Sequence, residues 1–346
     1  MEGRTMMWLS WRQFRVQALF AACALAVIAV YMGYLGSEIR DAYDAYRANC
    51  ANSSDCAQAR SQFRSAYQNT LLFLATGLAL IPALIGTFWG APLVARELEN
   101  GTHRLVWNQS VTRPRWLLGK MLLMGLAAVL VTGAAAALLT WVARPFDEVV
   151  KEQFDTFVFG ARNIAPIGYA AMAFTCGTVV GLLLRRTLPA MAVTLVVFLA
   201  FQFFFPNVVR PSLLPPEKAT LSMTAEAINQ AQNLGSLGGG SVIGGVKIPS
   251  APDAWIAETS PLRTADGKTL SGAKFNACLD NPHKTGAGDT FGDTAVCLAE
   301  HKLHVDVLYH PSSRYWAFQW LETASYLALS GILTAFGLRR VRRRVS

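Results

Sequence analysis

The chain has 346 residues, of which 53% are hydrophobic and 15% charged, and its formal net charge is +9. A soluble protein carries roughly 25% charged residues, and here the apolar residues are bunched into long runs, which excludes an ordinary soluble domain. The positive excess does not indicate nucleic acid as a partner, because the arginines gather at the ends of the apolar runs, where they set membrane orientation.

Runs of about 20 apolar residues match the roughly 30 Å hydrocarbon core of a bilayer. Six such runs occur. The first covers residues 16–35 and follows Arg4, Arg12 and Arg15. It is longer than a signal-peptide core and no small-residue cleavage site follows, so it reads as a retained signal anchor. The second covers 70–94 and contains Pro82, Gly86, Gly90 and Pro92, which neighbouring helices can accommodate inside a membrane. The others cover 117–142, 164–184, 188–205 and 315–338, and a basic tail, 339–346, closes the chain. The expected fold is an all-α polytopic membrane protein in a bilayer, with six transmembrane helices.

Arginine and lysine counts orient the helices. With the N-terminus inside, the inner segments hold fourteen arginines and the two short outer segments seven arginines and lysines. Both termini are therefore expected inside, in a cell membrane. The cysteines agree independently. Cys50, Cys56, Cys278 and Cys297 fall in the outer segments, where thiols can be oxidised. Four cysteines allow three pairings, and neighbour pairing, Cys50 with Cys56 and Cys278 with Cys297, is the one we expect.

The first outer segment, 36–69, reads as a helical hairpin, with Tyr43, Tyr46, Phe63 and Tyr67 at three- and four-residue spacings. The large outer insertion, 206–314, reads as a loop-rich domain with one short helix at 224–232 and a flexible glycine stretch at 235–240. Within the spans, small residues recur every fourth position, as at Ala173, Gly177 and Gly181. Such rows serve either packing within the chain or a subunit interface.

Motifs for chemistry are scarce. The sequence has no phosphate-binding Gly-x-x-x-x-Gly-Lys-Ser/Thr loop, no His-Glu-x-x-His, no Gly-x-Ser-x-Gly and no Cys-x-x-Cys. No enzymatic activity and no cofactor is expected of the chain. His301, His304, Asp306 and His310 make the one ligand-like cluster, but the general base of a metalloprotease is missing, so no metal site is expected. Ionisable groups inside spans are costly and count as functional candidates. Lys120 stands near the inner face, within snorkelling reach of water. Gln202, Gln319 and Glu322 are candidates for a translocation path or its outer gate, the alternative for Glu322 being a place at the headgroup interface.

The inner loop, 95–116, is the most informative stretch. It reads as a short amphipathic helix over 95–100, ended by Gly101, and a second segment over 102–109. Gly90-Ala91-Pro92-Leu93-Val94-Ala95-Arg96-Glu97-Leu98-Glu99, then Gly101-Thr102-His103-Arg104 and Gln109-Ser110-Val111-Thr112-Arg113, resembles the permease subunits of ABC-2 type exporters. A second matching stretch runs from Tyr309-His310-Pro311 through Trp316 to Gln319, Trp320 and Glu322.

The resemblance implies a permease that lacks its own ATPase and pairs with a separate nucleotide-binding ABC ATPase subunit and with a second permease copy. It also implies that Arg96, Glu97, Glu99, Gly101, Thr102 and Arg104 contact that ATPase, and that residues 1–15, with Trp8, Trp11 and Phe14, form an interfacial connector helix. The alternative is a non-transport membrane scaffold or sensor whose outer segment binds a ligand.

Overall fold

The computed structural model describes residues 2–52, 56–101, 112–150, 153–237, 240–280 and 290–344. They form two compact units, residues 1–210 with 316–346, and residues 211–315.

The first unit is helical. Among the described residues six helices are long and apolar enough to cross a membrane: Phe14–Ala51, Gln58–Glu99, Arg113–Val150, Ala165–Leu184, Thr187–Ser212 and Ser312–Arg343. The first belongs to one unbroken helix, α1 (Glu2–Asn52), so no break separates the expected connector from the first span. The side chains before Phe14 lie outside the described residues.

The second span is composite. It runs through α2 (Cys56–Ala79), α3 (Ile81–Ile85), a π-helical turn (Gly86–Gly90) and α4 (Ala91–Glu99). Pro82 and Pro92 each fall in the first turn of a new segment, where a missing N–H costs nothing. The third span is α5 (Arg113–Val150), followed by the short α6 (Thr156–Ala161), which Asp155 caps by accepting from the Phe157 and Val158 amides. The fourth is α7 (Ala165–Leu184), and the fifth is α8 (Thr187–Phe204) with a π turn and a 3-10 turn beyond it.

The fourth span is the centre of the unit. Of its most apolar stretch 72% is buried, against 11% for the first span. Glycine makes that possible. A Cβ on Gly90 would stand 2.5 Å from the Phe174 carbonyl oxygen, and one on Gly86 2.7 Å from that of Ala173. Cβ atoms on Gly177 and Gly181 would collide with the backbone at Gly86 and Ala91. The row at Ala173, Gly177 and Gly181 is therefore used inside the chain, to let the second and fourth spans meet backbone to backbone.

The hairpin between the first and second spans packs on its aromatic row. Tyr46 and Phe63 have ring centroids 5.8 Å apart, Phe63 and Tyr67 5.4 Å, and Phe63 also reaches Phe146 of the third span at 6.1 Å. The Cys50 and Cys56 sulfurs lie 2.04 Å apart, and those of Cys278 and Cys297 1.94 Å.

The second unit corrects two expectations, the all-α class and the loop-rich insertion. It holds a three-stranded antiparallel sheet of order β1 (Glu217–Ser222), β5 (His304–His310), β4 (Trp255–Thr259), and a hairpin of β2 (Asn233–Leu237) with β3 (Gly240–Gly244). Among the described residues three α-helices accompany them: α9 (Ala225–Asn229), α10 (Gly272–Asp280) and α11 (Gly292–Glu300). The glycine stretch is largely strand, although Gly238 and Gly239 lie outside the described residues. Alternation drives the sheet: Val305 and Val307 are buried while Asp306 between them is exposed. These two valines join Ile228, Ile243, Leu262 and Phe275 in a core of this unit's own. The last helix of the chain, α12 (Tyr315–Arg344), returns to the first unit.

Candidate functional site

Two clusters of polar side chains occupy opposite ends of the helical unit. The first joins the fourth, fifth and sixth spans. Glu322, on α12, is fully buried. Its Oε2 accepts from Arg210 Nε at 2.7 Å and its Oε1 from Arg210 Nη2 at 3.0 Å. The Tyr169 hydroxyl donates to the same Oε1. The Arg210 guanidinium also lies 4.1 Å from the centre of the Phe159 ring. A charge so far from water persists only when paired and hydrogen-bonded, and Glu322 meets that condition.

One turn earlier on the same helix, Gln319 is equally buried. Its Oε1 accepts from the Ala165 amide at 3.0 Å, at the start of the fourth span, and its Nε2 donates to the Phe159 carbonyl at 3.2 Å. Gln202 is half-buried, and its Oε1 has no hydrogen-bond partner among the described residues. Beside them Arg162 holds Asp147 through both carboxylate oxygens, at 2.7 and 2.8 Å, which ties the segment after α6 to the end of the third span.

The second cluster lies at the far end of the second span. Glu97 pairs with Lys120 of the third span, and both side chains are largely buried. Glu99 accepts from the Thr187 amide at 2.9 Å and from its hydroxyl at 2.7 Å, so its carboxylate sits at the start of the fifth span, where the helix dipole favours negative charge. Gly101 follows at φ +70°, a left-handed conformation that suits glycine and ends the helix. Phe14, Val94, Trp116, Leu182 and Val341 pack together there, so the first, second, third, fourth and sixth spans share one apolar base.

The family model described as ABC-2 membrane transporter related matches residues 22–210, more than half of the chain. The chain belongs to this family. No curated protein and no solved structure matches it.

For this ABC-2 family chain, the structure redistributes the residues singled out from the sequence. The helix expected over 95–100 is the last part of α4 (Ala91–Glu99), capped at Asn100 and continuous with the second span. Glu97 and Glu99 both face partners within the chain, whereas Arg96 is exposed. Thr102 and Arg104 lie outside the described residues. Lys120 does not snorkel to water; it is buried against Glu97. Glu322 is buried inside the bundle and is not exposed to headgroups or water.

The histidine cluster is dispersed. His310 is buried with Nε2 3.2 Å from the Pro211 carbonyl, and Asp306 faces outward to accept from Thr220. Sequence reasoning missed Arg210 and Tyr169. Arg210 lies just past the fifth apolar run, at the start of the segment 206–314, yet the fifth span continues through Ser212. One signal was available. Glu322 is the lone carboxylate of the sixth run, near its N-terminal end, and a buried carboxylate there requires a cation at the same depth.

Proposed function

We propose that this chain is the permease subunit of an ABC-2 type, ATP-driven exporter. It forms the lipid-embedded path, pairs with a second permease copy and docks a separate nucleotide-binding subunit, which carries out ATP hydrolysis. Both termini and the end bearing Arg96 to Gly101 face the cytoplasm of a plasma membrane, in keeping with the two-to-one arginine and lysine bias. The segment 211–315 lies outside the cell.

The observation that carries this reading is the bracing of α4. Its end is tied to the third span by Glu97 and Lys120, to the fifth by Glu99 and Thr187, and to the fourth by the glycine contacts at Gly90 and Gly181. A push delivered at Gly101 is therefore transmitted to three further spans. ATP binding has differential affinity for two arrangements of the permease pair and drives them between those arrangements. At the opposite end, Arg210, Glu322, Tyr169 and Gln319 close the path between the fourth, fifth and sixth spans, with Gln202 beside them.

The test is co-purification of an ATPase subunit with the tagged chain in mild detergent. Arg96→Glu and Gly101→Val are expected to lower both the recovered ATPase and its transport-coupled activity. Full recovery and activity in both variants would remove the docking role. Asn100→Cys, in a chain with Cys23→Ser, is expected to resist a membrane-impermeant maleimide in intact cells and to react after lysis. Labelling in intact cells would overturn the orientation.

A further inference from the structure

Two cavities open beside the first span and share Gln17 and Trp89 as lining residues. One, of about 370 Å³, lies at the charged end of the second span and is lined by Arg96, Glu97 and Lys120 together with Phe14 and Asn100. The other, of about 660 Å³, is apolar and follows the helices toward mid-membrane past Phe20, Leu25, Ile28, Ile81 and Phe88. Polar groups thus stand at one end of a continuous wall and hydrocarbon at the other.

The charges at the polar end do not cancel. Glu97 is paired with Lys120. Arg96 is exposed and has no hydrogen-bond or ion-pair partner among the described residues, so one positive charge is left facing the cavity. Gln17 is likewise without a partner among the described residues, although its amide sits inside an apolar span. At a helical rise of 1.5 Å per residue, the wall from Phe14 to Ile28 is about 20 Å long. Half of a bilayer core is roughly 15 Å, so the cleft is long enough for one acyl chain with its headgroup at the membrane surface.

From this geometry we infer that the cleft binds a bilayer phospholipid with an anionic headgroup. The headgroup phosphate takes Arg96, with the Gln17 amide as a donor at the neck. One acyl chain lies along Phe20, Leu25 and Ile28 of the first span and Ile81 and Phe88 of the second. Charge complementarity selects the anionic class: a zwitterionic headgroup brings its own cation to a site that already carries an unpaired one. This inference needs only the membrane location of the chain and does not rest on the docking of an ATPase.

The test uses the full chain alone, without an ATPase, in vesicles containing phospholipid brominated on its acyl chains, either phosphatidylglycerol or phosphatidylcholine. Bromine quenches a tryptophan it touches, and Trp89 lines both cavities. Subtracting the signal of Trp89→Phe isolates that residue. Quenching of Trp89 is expected at about fivefold lower mole fraction of the anionic lipid, the preference that one surface cation supports.

Arg96→Gln is expected to abolish the preference while leaving quenching by both lipids. Ala24→Phe, which fills the apolar part, is expected to reduce quenching by both. Equal quenching by the two lipids in the parent chain, or an undiminished preference in Arg96→Gln, overturns the proposal. Absence of quenching by either lipid, with disulfide cross-linking between copies through Phe20→Cys, assigns the cleft to a second copy and also overturns it.

Discussion

Arg210 grips Glu322 side-on, Nε to Oε2 at 2.7 Å and Nη2 to Oε1 at 3.0 Å, with the two side chains 1% and 0% exposed. The pair joins the last turn of the fifth span to the first turns of the sixth, and Tyr169 adds the fourth. Removing one partner of such a pair leaves a buried charge uncompensated, at a cost of about 3–5 kcal/mol. Glu322→Leu and Arg210→Met should each destabilise the chain in detergent by that amount, read as a lowered unfolding midpoint. The double variant should recover most of the loss, because two apolar side chains of similar volume leave nothing unpaired. A double variant as unstable as the sum of the singles would show that the two residues act independently.

The glycine contacts between the second and fourth spans make a steric prediction. Gly181→Val should separate the spans and cost at least about 1–3 kcal/mol, since the obstacle at Ala91 is backbone and cannot rotate away. Gly33→Ala and Gly331→Ala meet nothing within 4 Å and should leave the midpoint unchanged or slightly raised. Thermal unfolding of the purified chain reads all three.

Lys120 and Glu97 tie the second span to the third. Lys120→Met should destabilise the isolated chain, and Lys120→Met with Glu97→Gln should be closer to the parent than Lys120→Met alone. The readout is a double-mutant cycle, in which a coupling of about 1 kcal/mol or more is expected. The same Lys120 variant should uncouple ATP hydrolysis from transport without lowering ATPase co-purification, because Lys120 is buried.

His310 confers a pH dependence on the second unit. It is buried on β5, and burial pushes its pKa below the ordinary 6.5, against the raising effect of its hydrogen bond with Pro211. The folded state thus favours the neutral ring more than the unfolded state does. The unfolded chain binds the proton first as pH falls, so the stabilisation is complete above pH 6.5 and declines as pH drops from there through the lowered folded value. Once the intrinsic slowing of exchange is divided out, the protection of the strand His304–His310 should fall between pH 7 and 5, and His310→Gln should flatten that response.

Much of the helical unit was legible in the amino-acid order. Five of the six apolar runs lie within the long apolar helices and the fourth, 164–184, starts one residue before its helix, while the aromatic spacing at Tyr43, Tyr46, Phe63 and Tyr67 matches a packed row. The strands of the second unit were not legible. Their runs are short, as at Val305 and Val307, and their inward positions are interleaved with glycines and charges. Of the candidate site residues, Gln319 and Glu322 were found because a polar group in a hydrocarbon run is visible by itself. Arg210 was not, because it follows the run.

The sequence by itself determined what a bilayer demands locally: six spans of sufficient apolar length, each end marked by arginine, and a family resemblance in the loop after the second span. Only the tertiary structure decided which polar groups meet. Glu322 lies 112 positions from Arg210 and Glu99 lies 88 from Thr187. Partners that distant are chosen by how helices pack, and in lipid that packing is governed by close backbone approach at Gly90, Gly177 and Gly181 rather than by any periodicity along one helix.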